Sequence, residues 1–177
     1  QHPHPDDGQQ HRQQQGRLCD GCFKCERSRC VLCHNHLQET KTFKSAVNGS
    51  EYVIRDRLSC RSANIIYLID CDRCASVQYV GETGQTLQKR QYGHRHNIKH
   101  YDSTTYQDPM TNQGTTFRRE DTMVAKHFNE DGHTIEDMRC TAIEQLHTPN
   151  VAVRKRREKF WRHQLQTNYP DGLNVFD

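Results

Sequence analysis

The chain has 177 residues, with 25 Lys and Arg against 22 Asp and Glu, a formal net charge of +3. Only 32% of its residues are hydrophobic and 27% are charged, a lean composition for one domain or one domain with a small appendage, which points to a stabiliser beyond the core. No apolar run approaches the ~18 residues of a membrane span, and no secretory leader pattern precedes the cysteines.

Residues 1–16 are Gln-, His- and Pro-rich with no apolar residue, and residues 1–18 read as a disordered tail or linker. Residues 19–62 form a Cys-rich extension. Cys19, Cys22, Cys25, Cys30 and Cys33 overlap in C-x2-C steps, His34 and His36 follow, and Cys60 comes later. Between them, TFKSAVNGSEYVIR (42–55) carries Asn48-Gly49 between alternating apolar and polar residues, a hairpin signal.

Ile65–Ile69 and Val77–Val80 read as strands joined by a short connection, hence antiparallel. Between them lies a second C-x2-C, Cys71 and Cys74. Gly81 and Gly84 are expected to bracket a turn, and Thr86 to cap a helix running to about His100. Residues 101–120 are polar and turn-rich, a surface loop. Asp121 or Thr122 opens a short helix, MRCTAIEQL (138–146) is a third strand, and Asn150 caps a longer helix. Pro170-Asp171-Gly172 is a turn. The implied fold class is α/β (α+β), a small, mainly antiparallel three-stranded sheet flanked by helices.

The chain holds 9 cysteines and 12 histidines. An odd count and C-x2-C spacing suit zinc in a reducing compartment; a secreted disulfide framework is the alternative. KRQYGHRHNIKH (89–100) and RKRREKFWRH (154–163) are basic stretches interleaved with aromatics and histidines. They read either as solvated helix faces or as contacts to a polyanion.

IIY (65–67) followed by YVG (79–81) resembles the paired motif of the GIY-YIG nucleases, with Ile65 in place of the first glycine. Arg90, His94, Glu158 and Asn174 match further family positions in order, over about residues 60–177. Cysteines between the two motifs, QYVGETGQTLQKR and PDGLN narrow the likeness to the nuclease domain of Penelope-like retroelements, which lies downstream of a reverse transcriptase. The ragged N-terminus is then expected to be that of a domain from a larger polyprotein, with residues 63–177 as the nuclease.

The resemblance implies a metal-dependent DNA endonuclease that nicks target DNA for retroelement insertion, in the nucleus. Its partners would be DNA and, through the parent polyprotein, element RNA, with no membrane. Glu158 would hold Mg2+ or Mn2+; it follows the apolar stripe of its helix with Trp161 and Leu165, where an unpartnered carboxylate is costly. The competing reading of Glu158 is an exposed ion pair with Arg154 or Arg162. Arg90 would clamp the phosphate. Tyr67 and Tyr79 would orient or deprotonate water, His94 would relay a proton, and Asn174 would brace the site.

Cys71 and Cys74 need two more ligands for a structural Zn2+ site. His127 and His133 offer them, 52 residues (75–126) away from the knuckle, so this zinc would tie the β-turn to the second helix. Cys30, Cys33 and Cys60 are the preferred ligands of a second zinc, with the fourth among Cys22, Cys25, His34 and His36. Cys140 reads as a core residue. The alternative to the nuclease is a zinc-stapled nucleic-acid-binding module with a decayed site.

Overall fold

The computed structural model describes residues 19–102 and 121–175. The expected N-terminal tail, and the expected loop from residue 103 onward, lie outside these residues. The Cys-rich extension contributes β1 (Gly21–Phe23), α1 (Val31–Asn35), β2 (Thr42–Lys44), β3 (Glu51–Val53) and β4 (Arg57–Ser59). β2 and β3 form the antiparallel hairpin that Asn48-Gly49 signals, and Gly49 takes the left-handed φ of +74° that favours glycine at the turn. β1 and β4 pair in parallel, Cys22 opposite Leu58. No periodicity in such three-residue strands announces that pairing.

β5 (Ala63–Cys71) and β6 (Gln78–Thr86) follow, then α2 (Leu87–Lys99), α3 (Thr122–His127), β7 (Met138–Gln145) and α4 (Val151–Leu165). β5 lies between β6 and β7, antiparallel to both. Its apolar run explains the central place: each of Ile65 through Ile69 is at most 1% exposed, so both faces of the strand are covered. Gly81 and Gly84 do not bracket a turn. Both lie inside β6, which continues to Thr86 and feeds directly into α2.

Local signals set the helix ends. The Thr86 hydroxyl accepts from the Lys89 N–H at 3.3 Å, and Asn150 Oδ1 accepts from the Ala152 and Val153 N–H groups. Asp121 makes no side-chain cap on α3; its carboxylate goes elsewhere. The extension adds to the outer edge of β7, where Gln38 N–H donates to the Cys140 carbonyl and Cys140 N–H to the His36 carbonyl, each at 2.9 Å. The edge strand is thus covered, and the extension shares one apolar core with the sheet. Cys140 is fully buried within it. Among the described residues no helix is long and apolar enough to cross a membrane.

Candidate functional site

Alternation along the strands puts residues 65, 67 and 69 of β5 on one face and Tyr79 and Gly81 of β6 beside them. Tyr67 stands opposite Gly81 on one side and Ala142 on the other, two small residues that leave room for its ring. A Cβ built on Gly81 would lie 2.3 Å from the Tyr67 hydroxyl oxygen. The second glycine of the paired motif therefore exists for the tyrosine, not for a turn. Gly81→Ala is expected to push the buried ring aside, at a cost of about 1–3 kcal/mol; an unchanged melting temperature would contradict this.

The tyrosine face meets α2. Tyr67 Oη is 2.7 Å from His94 Nε2, and both residues are buried. The rings of Tyr67 and Tyr79 lie 6.4 Å apart and that of Tyr79 5.6 Å from His94. Arg90, one turn before His94, brings its guanidinium 5.9 Å from the Tyr67 ring. Burial raises the pKa of both tyrosines well above that of an ordinary phenol; the Arg90 cation opposes the rise, and the negative charges of Asp121 and Glu158 add to it. Both phenols are therefore protonated. Ile65, where the motif has glycine, is fully buried on this face. Its backbone φ is not left-handed, so nothing in the strand requires glycine there.

Asp121 is the residue that sequence reasoning missed. Its Oδ1 lies 2.5 Å from Arg90 Nη2 and accepts from the Tyr79 hydroxyl at 3.3 Å. The side chains are 8% and 1% exposed, which makes this a buried ion pair. The sequence offered it only as a helix-opening residue; the one clue was a carboxylate just ahead of a short apolar run.

Asn174 braces β6. Its Oδ1 accepts from Val80 N–H at 2.9 Å and from the Thr167 hydroxyl at 2.7 Å, and its Nδ2 donates to the Val80 carbonyl at 2.8 Å. Val80 lies between Tyr79 and Gly81, so the C-terminal segment fixes the strand that carries them. Glu158 is half-buried on α4, near enough to act on both tyrosines. Of its two expected ion-pair partners, Arg154 bonds Glu82 and Asn64, while Arg162 Nε donates to Asn168. The basic stretch of α4 is partly neutralised: Glu82 also takes Lys155, and Glu144 takes Arg157 through two bonds of 2.8 and 2.6 Å.

Two clusters have the composition of structural zinc sites. Cys71, Cys74, His127 and His133 bring their ligand atoms within 4.8 Å of one another. His127 Nε2 is buried without a hydrogen-bond partner among the described residues, while its Nδ1 lies 3.9 Å from Glu130. His133 Nε2 is 2.9 Å from Cys74 Sγ, with its Nδ1 3.3 Å from the Asp131 carbonyl. Both imidazoles thus direct Nε2 inward and keep Nδ1 near an oxygen, as metal-bound histidines do. Burial, then the neighbouring His133, lowers the His127 pKa, favouring the neutral ring that ligation needs.

Cys25, Cys30, Cys33 and Cys60 form the second set, again with ligand atoms within 4.8 Å. Of the four candidates for the fourth ligand, Cys25 is the one the fold brings to Cys30, Cys33 and Cys60. The Arg27 backbone N–H is the largest influence on its thiol, which falls to about 7, and its own N–H donates to Cys33 Sγ at 3.3 Å. The other three alternatives lie apart. Cys22 is buried in β1, and His34 is exposed. His36 pins three elements, with Nδ1 2.9 Å from the Met138 carbonyl and Nε2 accepting from Arg95 at 3.0 Å. All nine cysteines are free thiols, so the disulfide alternative has no pairing behind it.

The fold therefore gathers Tyr67, Tyr79, Arg90 and His94 into one buried cluster and fixes Asn174 behind them, with Glu158 alongside. Compared with family models, curated proteins and solved structures, the chain matches none.

Proposed function

We propose that the chain is a metal-dependent endonuclease that hydrolyses DNA phosphodiesters, in the manner of the GIY-YIG nuclease domains of Penelope-like retroelements, nicking target DNA for element insertion. The observation that carries this reading is the 2.7 Å contact of Tyr67 with His94, beside Arg90 and Tyr79 in one buried cluster.

Hydrolysis needs a proton acceptor for water, a cation at the phosphate and a stabiliser for the leaving oxygen. A buried phenol does not store a phenolate, so the proton moves as a relay. Tyr67 Oη takes a proton from water as its own passes to His94 Nε2, leaving an imidazolium. Tyr79 orients the water. Arg90, released from Asp121, forks onto the phosphate oxygens. Glu158 would hold Mg2+ or Mn2+, whose bound form supplies charge stabilisation at the phosphate. Glu158 belongs to no group of three or more ligating side chains among the described residues. An ion held by Glu158 would therefore be carried by one carboxylate, waters and substrate phosphate.

The second reading is a zinc-stapled binding module whose site has decayed. Its support is the Arg90–Asp121 pair, which occupies the phosphate-binding cation. A plasmid-nicking assay with added Mg2+ or Mn2+ separates the two. Wild type is expected to nick, and Glu158→Gln to lose on the order of 100-fold or more in rate while DNA binding persists. No nicking by wild type favours the binding module. Undiminished nicking by Glu158→Gln removes the metal assignment.

A further inference from the structure

α2 has a second working face. Arg90 and His94 turn to the tyrosines, while Gln88, Gln91, Tyr92 and Arg95 line a cleft of about 430 Å³ between α2 and α1, with Arg29 and Lys99 at its walls. The cleft is a product of the Cys-rich extension. Gln88 Nε2 contacts Cys30 Sγ at 3.8 Å, and Arg95 donates to His36 at the end of α1, so the second cysteine cluster sets its width.

Two features point to a ligand. Tyr92 is 73% exposed on a helix whose other aromatics are histidines, an open ring face at the cleft. Gln91 is fully buried, yet both its Oε1 and its Nε2 have no hydrogen-bond partner among the described residues. A buried amide left unpaired at both ends costs free energy that a ligand with an adjacent donor and acceptor would recover. The Watson–Crick edge of a nucleobase is such a pair, its face stacks on tyrosine, and its phosphate is drawn by Arg29 and Lys99.

We infer that the α1–α2 cleft binds an unstacked nucleotide of single-stranded DNA, base on Tyr92 and edge toward Gln91. This rests on the nucleic-acid part of the proposed function but not on catalysis. It assigns the Cys-rich extension a role in holding substrate: the strand separated near the cut is gripped on the back of the helix whose front carries Arg90 and His94.

The test measures anisotropy of a labelled mixed-sequence single-stranded deoxyoligonucleotide and of the blunt duplex of the same sequence. It uses the zinc-loaded Glu158→Gln protein without added divalent cation, so that turnover plays no part. Tyr92→Ala in that background is expected to weaken single-strand binding roughly tenfold or more, as loss of one stacked base does, and to leave duplex binding unchanged. Gln91→Leu, which keeps the volume, is expected to do the same; its zinc content and melting curve report its folding, and if it misfolds the exposed Tyr92 decides alone. Single-strand affinity unchanged in Tyr92→Ala overturns the inference. So does an equal loss on duplex, or a parent protein that does not bind the single strand. Failure of the nicking assay removes the nuclease reading and leaves this binding result standing by itself.

Discussion

Cys71→Ser is expected to lower the zinc content from two ions per chain to one and to unfold the region around α3, with any activity lost as a consequence. Cys71 ends β5, Cys74 lies in the turn before β6, and His127 ends α3. One ion there joins α3 to the knuckle across a long stretch of chain, His133 and Cys74 being 59 positions apart. The segment just after His133 already meets the knuckle through the Asp72 N–H bond to the Asp137 carbonyl and the Arg73–Asp137 and Arg139–Asp72 ion pairs. A structural zinc binds only the folded arrangement, so its binding energy, on the order of 10 kcal/mol or more in small zinc domains, becomes folding energy. Domains of this size have only about 5–15 kcal/mol of net stability. Losing the ion should therefore remove most of it. Elemental analysis and a melting curve measure the outcome. Cys60→Ser provides the contrast, because it should also remove one ion but loosen the extension and not α3. Two ions retained in Cys71→Ser, with the wild-type melt, would mean that the four ligands do not share a metal.

The parts of the molecule legible in the sequence are those written in local chemistry. The apolar run of β5, the cap residues Thr86 and Asn150 and the Asn48-Gly49 turn each act within a few residues of themselves, and each stands where expected. Spacing also exposed the knuckle ligands, because thiolates and imidazoles in C-x2-C and H-x5-H steps have few other uses. What stayed hidden was set by tertiary approach. Gly81 reads locally as a turn, but its meaning is the ring of Tyr67 across the strand pair. The fourth ligand of the second cluster depends on which way β1 faces: the strand commits Cys22 to the core and leaves Cys25, beyond the strand end, to meet Cys30, Cys33 and Cys60. The charge of the α4 stretch likewise depends on Glu82 and Glu144, residues on other elements that a count of cations cannot see.

Asp121→Asn is expected to destabilise the protein by about 2–3 kcal/mol, the cost of stripping a buried cation of its counter-charge while keeping one hydrogen bond; full removal of a partner costs about 3–5 kcal/mol. Asparagine preserves the volume and an acceptor near Arg90, so the change isolates charge from packing. At this chain length that corresponds to a fall in melting temperature on the order of 5–10 °C. The companion variant is Arg90→Met, which removes the cation and keeps an apolar stem. If the 2.5 Å contact is what each residue is there for, the double variant should be less destabilised than the sum of the two single ones. A coupling of about 1 kcal/mol or more is then expected, and additive losses would show that the pair is incidental. Activity separates the roles further. Arg90→Met should abolish nicking whatever its stability, because no other guanidinium reaches the Tyr67 ring among the described residues. Asp121→Asn should retain nicking at temperatures where it is folded, since Asp121 must release Arg90 before the phosphate can take it. An Asp121→Asn protein that is folded and inactive would instead make the carboxylate part of the chemistry, as the acceptor of the proton on the Tyr79 hydroxyl, whose oxygen lies 3.3 Å from Asp121 Oδ1.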